Sequence, residues 1–575
     1  MKKIAKLLDN ALPLIAITCI AFFLMQAQIV YRSVIIGSDA MFHFNRFYDA
    51  AKQLQNFNFS FFQTNYGFQQ SGRIINAMYG PFFAYFNGLL LAILGSWSRY
   101  QIVTNFMVYL IGGYGMYKLA ILVQPKRQIA LLVTTIFMNI GWLPRWHLAQ
   151  NLNSWGAAIA PYAIILGIKM VRQHKIEWFK LGLLMSIIAQ IHILSTLILA
   201  ATLIPFYFYC LKKSQTKQRL ILDTLKAVLM TTALSANIWA SILYLKFTNT
   251  IAAPAPFSLA DNALKIGVFK NTRDYIIYSV LIIFIFQLGF VIKQRTQVDK
   301  LNFWLTIYGA LVLYLSSSLF FWMPIQKLLP FLASNLQFPV RLTIIAYPLL
   351  LVGVAMSVHA LLQDSNNIKR HLITGALLFV VMESFVPNVT DAFERSEKYH
   401  TYEVLSSWSA VVSVSQNRQE IRHSLHGKYP GQLLQLVEKR IPDYLPQIDT
   451  KNHAKKANSK LYQEQVIYQY HLFNHKVLPN GKLQLTWNAN NSSRIMIPII
   501  TYKQSRLTLN GKVLTHYAQT KIGVPLLHQQ KGTNTVTLQF IQPKWMTGLL
   551  CFSILMWLIL FGFLAQKVLN KLKKS

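Results

Sequence analysis

An aspartate, a histidine and an arginine stand at i, i+4 and i+7 in "GSDAMFHFNRFYDA", residues 37–50, just after the first long apolar run. On a helix, Asp39, His43 and Arg46 share one face, with Phe44, Phe47, Tyr48 and Ala51 as the neighbouring apolar stripe. That pattern predicts an amphipathic helix lying on a bilayer with a small polar cluster beside it. A carboxylate fixed at the start of such a helix can act as a general base, and His43 and Arg46 would keep it ionised at neutral pH. The competing reading is structural: "GSD" before a periodic apolar run is a common helix start, with Asp39 as the N-cap. Both readings can hold together, because a capped helix fixes its first carboxylate rigidly.

The rest of the chain must position that face. It has 575 residues, 54% of them hydrophobic and only 13% charged, with a mean hydropathy of +0.35. A soluble domain has about a quarter of its residues charged, so this is a membrane protein carrying some soluble mass. The net charge of +37 sits mainly in short loops between apolar runs. That is the positive-inside pattern and not the footprint of a nucleic-acid binder. Cys19, Cys210 and Cys551 all lie in apolar runs, which excludes a disulfide framework and a cysteine metal site. Lys2, Lys3 and Lys6 precede the first run as in a signal peptide. No small-residue cleavage site follows, so the run is expected to remain as a first span.

Apolar runs near 11–31, 102–123, 128–142, 155–171, 178–190, 194–211, 220–246, 274–293, 301–319, 343–362, 371–387 and 545–565 predict about twelve spans, within 11–13. A further short run at 81–96, beginning at Pro81, is expected to be re-entrant or interfacial. This parity puts "QPKRQ", "VRQHK", "LKKSQTKQR", "KQRTQVDK", "NNIKRH" and both termini on the cytoplasmic side. The first loop (32–80), "PRWHLAQNLNSWG", the loop around "FTNTIAAPAPFSLADNALKIG" and "FFWMPIQKLLPFLASNLQFPVR" then fall outside. The expected organisation is a transmembrane part over 1–387, an extracytoplasmic domain over 388–544, and a last span with a basic tail over 545–575. The domain opens with helix-like stretches such as "GQLLQLVEKRI". It closes in alternating strands with Asn-Gly turns, "VLPNGKLQLTW" and "RLTLNGKVL", and so reads as small and β-rich.

The chain has only 19 acids. On the outer side of the membrane part they are Asp39, Asp49, Asp261, Asp274 and Glu383, at the end of a span. Asp39 is the one followed at helical spacing by a histidine and an arginine. Arg341 in "LQFPVR" stands at the outer mouth of a span, where its simplest role is a snorkelling anchor. His192 in "AQIHILST" and His147 in "PRWHLAQNLNSW" belong to the outer side as lining residues. Trp142, Trp146, Trp155 and Trp322 read most simply as interfacial belt residues.

A first external loop with an acid shortly before "FH", following one N-terminal span, resembles the GT-C glycosyltransferases, including the catalytic subunits of oligosaccharyltransferases. More closely, "GSDAMFHFNRFYDA", "YGFQQSGRIINAMYGPFFAY" and "LQFPVR" resemble YfhO-like multispanning proteins of Gram-positive bacteria. So does "DYLP" followed by "MIPIITYKQSRLTLNGKVL". The resemblance touches nearly the whole chain. It implies a GT-C-like α-helical polytopic fold and transfer of a sugar outside the cell, from a polyprenyl-phosphate-linked donor to a cell-envelope glycan or glycolipid such as teichoic acid. It implies Asp39 as the catalytic base.

Chemistry on the residues agrees. A lipid phosphate leaves without needing a proton, so the main demand is one base for the acceptor hydroxyl. The leaving phosphate asks for cationic donors, which suits the arginine fork and points to Arg341, with Arg73 in "QQSGRIINA" as a second candidate. His43, Arg46, His147 and His192 complete the expected substrate-binding set. A divalent cation is not favoured, because the second external loop "PRWHLAQNLNSWG" carries no acid and a hard cation wants several, although Asp261 could still join a site. That favours metal-independent transfer of a single sugar over transfer of an oligosaccharide. Two other classes compete: a transporter or flippase of lipid-linked sugars, and a non-catalytic envelope scaffold whose β-domain binds glycan. Mid-span charges and repeated halves would favour the transporter, and few are visible.

Overall fold

Helices dominate because lipid leaves backbone N–H and C=O groups no partner outside the segment itself. The structure, a computed structural model, describes residues 2–123, 126–267, 271–401, 404–405, 411–448 and 455–572. Seven helices are long and apolar enough to cross a bilayer: Ala11–Val30, Trp97–Val123, Asn153–Gln173, Ile193–Lys213, Pro339–Asp364, Asn367–Lys398 and Lys544–Asn570. Lys217–Leu234 and Ala236–Thr248, bent by 67° at their junction, make an eighth when taken as one span. The expected dozen exceeds what length alone supports. Arg127–Asn139, Trp178–Ile191, Tyr278–Lys293 and Lys300–Ser316 have 13, 14, 16 and 17 residues, fewer than the ~20 that bridge the hydrocarbon. Two of them stop early because Ile140 and His192 take extended backbone, giving residues to the loops that carry polar side chains.

The stretch 37–50 does form a helix, Ala40–Asn56, but not one lying on a bilayer. Ala40 through Phe47 are buried, as are Asp49, Ala50, Ala51 and Gln53. One side packs on the short helix Pro81–Leu94, where a Cβ on Gly88 would stand 2.7 Å from the Ala51 nitrogen. On another side Phe44 stacks on Trp97 at 4.1 Å. The hydrophobic pattern was therefore a packing pattern. Aromatic side chains bury more area against protein than the period alone reveals.

The helix Asn367–Lys398 runs straight through the expected junction at 388, so the soluble part begins a few turns later. The stretch "GQLLQLVEKRI" divides into a short helix, Gly431–Leu436, and a strand, Val437–Lys439. Further on lie two antiparallel sheets. One runs in the order Asn474–Val477, Leu483–Ala489, Gly532–Phe540, Ser505–Leu509, Lys512–Leu514. The other pairs Ala518–Gln519, Pro525–Gln529 and Ser493–Met496. Alternate residues Leu483, Leu485, Leu507, Leu527, Val536 and Leu538 fill one core between them. The Asn510-Gly511 turn has positive φ at both residues, 47° and 81°, as a tight hairpin needs.

The segment 430–446 straps this domain onto the first-loop helix. The Trp97 indole donates to the Pro430 carbonyl at 2.9 Å, and the Gln69 amide to the Leu434 carbonyl at 3.1 Å. The Asn45 amide donates to the Glu438 carboxyl at 3.3 Å. The Gly88 contact is a direct test of this packing. Gly88→Val should cost about 1–3 kcal/mol by overpacking and lower the thermal unfolding midpoint in nanodiscs. An unchanged midpoint would mean that the two helices are not in contact.

Candidate functional site

The backbone at 37–39 lies against 149–151. A Cβ on Gly37 would fall 2.2 Å from the Ala149 Cα, so only glycine permits this approach. Gly37 N–H donates to the Gln150 side chain at 2.8 Å, and Asp39 N–H donates to the Ala149 carbonyl at 3.1 Å. Asp39 occupies the N-cap position, yet its side chain makes no capping bond. Its carboxylate instead accepts from the Asn151 amide at 2.8 Å and faces the Lys439 ammonium at 3.6 Å. About a third of the Asp39 side chain stays exposed. Lys439 also bonds the Ser38 carbonyl. The carboxylate is fixed, charge-paired and open.

His43 and Arg46 turn inward. The His43 N–H donates to the Asp39 carbonyl at 3.1 Å, but among the described residues no side-chain hydrogen bond or ion pair joins either residue to the Asp39 carboxylate. They bond each other at 3.3 Å, and the ring stacks on Phe47 at 5.6 Å. Burial first, then Arg46, Lys439 and His192, holds the imidazole well below its ordinary value. It is therefore neutral at neutral pH, and the expected ionic support of Asp39 by His43 passes to Lys439. Arg46 is fully buried, with Nε donating to Asn76 at 3.0 Å, the Tyr79 ring 4.6 Å away, and Nη2 without a partner. Burial pulls its guanidinium down to about 10, still protonated at neutral pH.

Arg341 joins the same cleft. It bonds the Leu336 carbonyl and the Gln337 side chain, lies 4.8 Å from the Phe338 ring, and leaves Nε unpartnered. Its electrostatic neighbours are Tyr79, Asp39 and Arg273. Arg273 is itself neutralised by two bonds to Asp274. His192 caps the helix Ile193–Lys213 through Nδ1, 3.4 Å from Ser195 N and 2.8 Å from Ser195 Oγ, which leaves the ring proton on Nε2. It stands within electrostatic reach of Arg341, Arg46 and His43. Tyr79 sits among Asp39, Arg46 and Arg341.

Two other expected members lie elsewhere. Arg73 is fully buried toward the soluble domain, donating to the Asp443 carbonyl at 2.6 Å with the Tyr462 ring 4.7 Å away. It clamps the first loop to the domain. His147 faces Tyr109 with its Nε2 unpartnered. Burial first, then Arg395 and Arg145, brings it down to about 3. It belongs with the Arg145–Asp391–Arg395 network. Trp142 and Trp146, expected as interfacial belt residues, are buried. Trp142 donates to the Val340 carbonyl at 3.0 Å and so ties the second external loop to the Arg341 turn.

Sequence reasoning missed Lys439, Asn151 and Tyr79. Tyr79 and Asn151 stand in segments already marked as external, whereas nothing local distinguishes Lys439 from the other lysines. Among the described residues no three His, Cys, Asp or Glu side chains group as a metal site. Compared with family models and with curated proteins, the chain matches none. What the arrangement offers chemically is one partly exposed carboxylate, Asp39, beside Lys439 and within electrostatic reach of Arg341, with the Arg273–Asp274 pair nearby and the Asp443 carboxylate facing Tyr79.

Glu438, beside Lys439, is fully buried, and burial pushes its carboxyl up to about 8 against Arg73 and hydrogen-bonding from the Lys439 backbone, Gln69 and Asn45. Between the ordinary 4.5 and about 8 the folded protein holds a proton that the unfolded chain releases, so stability falls as pH rises through that window. Glu438→Gln removes this titration. Its unfolding midpoint relative to wild type should be flat below pH 4.5 and rise steadily toward pH 8. A constant difference across that range would mean that Glu438 is not held protonated.

Proposed function

We propose that the chain is a polytopic membrane glycosyltransferase of the GT-C type, related to YfhO-like proteins. It moves one sugar from a polyprenyl-phosphate-linked donor to a cell-envelope polymer or glycolipid on the external face. The observation that carries this reading is the partly exposed Asp39 carboxylate, with the Lys439 ammonium 3.6 Å away and Arg341, whose Nε has no partner, within electrostatic reach. The acceptor hydroxyl oxygen bonds to the anomeric carbon as the bond from that carbon to the phosphate oxygen breaks. Asp39 takes the hydroxyl proton, and the bonding pair leaves on the phosphate, whose charge Arg341 and Arg46 balance. Lys439 and Asn151 orient the carboxylate, and neutral His192 offers its Nε2 proton to a sugar or phosphate oxygen. No step calls on a metal.

In this reading the short helices Arg127–Asn139, Trp178–Ile191, Tyr278–Lys293 and Lys300–Ser316 complete a bundle of about twelve spans, with both termini cytoplasmic and the β-domain outside. Topology is tested with single cysteines introduced at exposed positions. Ser492→Cys should react with an impermeant thiol reagent in intact cells and Lys567→Cys should not; the reverse would place the cleft where no lipid-linked donor is presented.

Chemistry is tested by sugar incorporated into envelope polymer at matched protein levels. Asp39→Asn keeps the size of the side chain and should lower transfer by at least about 10²-fold. Arg341→Lys should remain impaired because it loses the planar fork, and Arg341→Ala should be worse. Transfer near wild type in Asp39→Asn would leave the flippase or scaffold reading in place.

A further inference from the structure

A second cleft, of about 440 Å³, opens between the first loop and the β-domain. Its walls include Phe59, Phe61, Gln63, Asn480, Gln539 and Gln542. Phe59 is 56% exposed and presents its ring at the cleft mouth. The floor is rigid. The Phe62 and Phe540 rings stack at 4.4 Å, Phe540 N–H donates to Gln63 Oε1 at 2.9 Å, and the Asn65 amide donates to the Gly481 carbonyl at 2.8 Å. The Gln63 side chain is 2% exposed, and its amide nitrogen has no acceptor, so a buried donor at the floor lacks a partner.

Charge decides what such a cleft takes. The chain carries a net charge of +37, yet none of the side chains lining this cleft is charged. An anionic polymer would find nothing here to neutralise it. Aromatic faces flanked by carboxamides, which offer both donors and acceptors, match a neutral sugar, whose axial C–H face is apolar and whose hydroxyls both donate and accept.

We infer that this cleft binds a neutral glycan, and that it holds the acceptor polymer at a distance from the reacting end. The binding claim stands on the cleft itself, and the acceptor role rests on the transferase reading. Ser60, in the cleft wall, donates its N–H to the side chain of Gln53, in the helix Ala40–Asn56, at 2.9 Å. Asp39 stands at the N-terminal end of the same helix, fourteen residues and about 20 Å from Gln53 at 1.5 Å per residue. An acceptor engaging both is therefore a polymer and not a single sugar.

The experiment uses the full chain in nanodiscs, with neutral tetrasaccharides of glucose, galactose and N-acetylglucosamine as probes and poly(glycerol phosphate) as the charged control. Binding is read by saturation-transfer NMR and calorimetry. At least one neutral probe should bind, and Phe59→Ala and Gln539→Ala should each weaken it about tenfold with unfolding midpoints unchanged. Two substitutions on different walls keep the test readable if one of them disturbs folding. Absence of binding by every neutral probe, preference for the charged control, or full binding in both variants would overturn the proposal. The assay contains no donor, so loss of the transferase reading would not alter its outcome.

Discussion

Burial of the helix Ala40–Asn56 on nearly every side is the constraint from which the rest follows. A guanidinium, Arg46, and a carboxyl, Asp49, lie fully inside this packing, where an isolated charge is costly unless it is compensated. The two are handled differently. Asp49 accepts from Tyr66 N–H and from the Gln53 amide, each within 2.8 Å, and burial still pushes it up to about 7. Arg46 has no carboxylate, and it is held by an amide oxygen, an imidazole and three aromatic faces. Residues 430–446 and the helix Pro81–Leu94 exist in their positions because they close this packing.

The same constraint explains the electrostatics of the cleft. The chain has few acids. Near Asp39, Asp274 is neutralised by Arg273, burial holds Glu438 protonated, and Asp443 faces Tyr79. Asp39 keeps about a third of its side chain exposed beside a cation. Lys439 restrains it from one side and Asn151 from the other. A carboxylate held by two partners on different segments is fixed in place before anything binds beside it.

Much of this was legible in the sequence because it depends on local rules. Apolar runs between basic loops mark helices, and Asn480-Gly481 and Asn510-Gly511 mark turns. The gathering of Asp39, His43, Arg46, His192 and Arg341 follows from placing their segments on one side of a membrane. Tertiary packing hid the remainder. The periodicity of 37–50 fits a helix on lipid as well as one enclosed by Trp97 and Gly88, because both bury the same stripe. Arg73 and His147 stand in connections between the longer helices as expected, but which way a side chain turns from such a segment is set by partners such as Tyr462 and Tyr109. Lys439 has no local signal at all.

The ammonium of Lys439 meets the backbone of Ser38 across a separation of 401 residues. During synthesis the helix that carries Asp39 emerges long before the strand that completes its surroundings. At about 5–20 residues per second the interval is roughly 20–80 s. Through that interval the nascent chain holds an exposed carboxylate without its restraining cation and a helix without its cover. The surroundings of Asp39 are thus completed only once the strand Val437–Lys439 has been made.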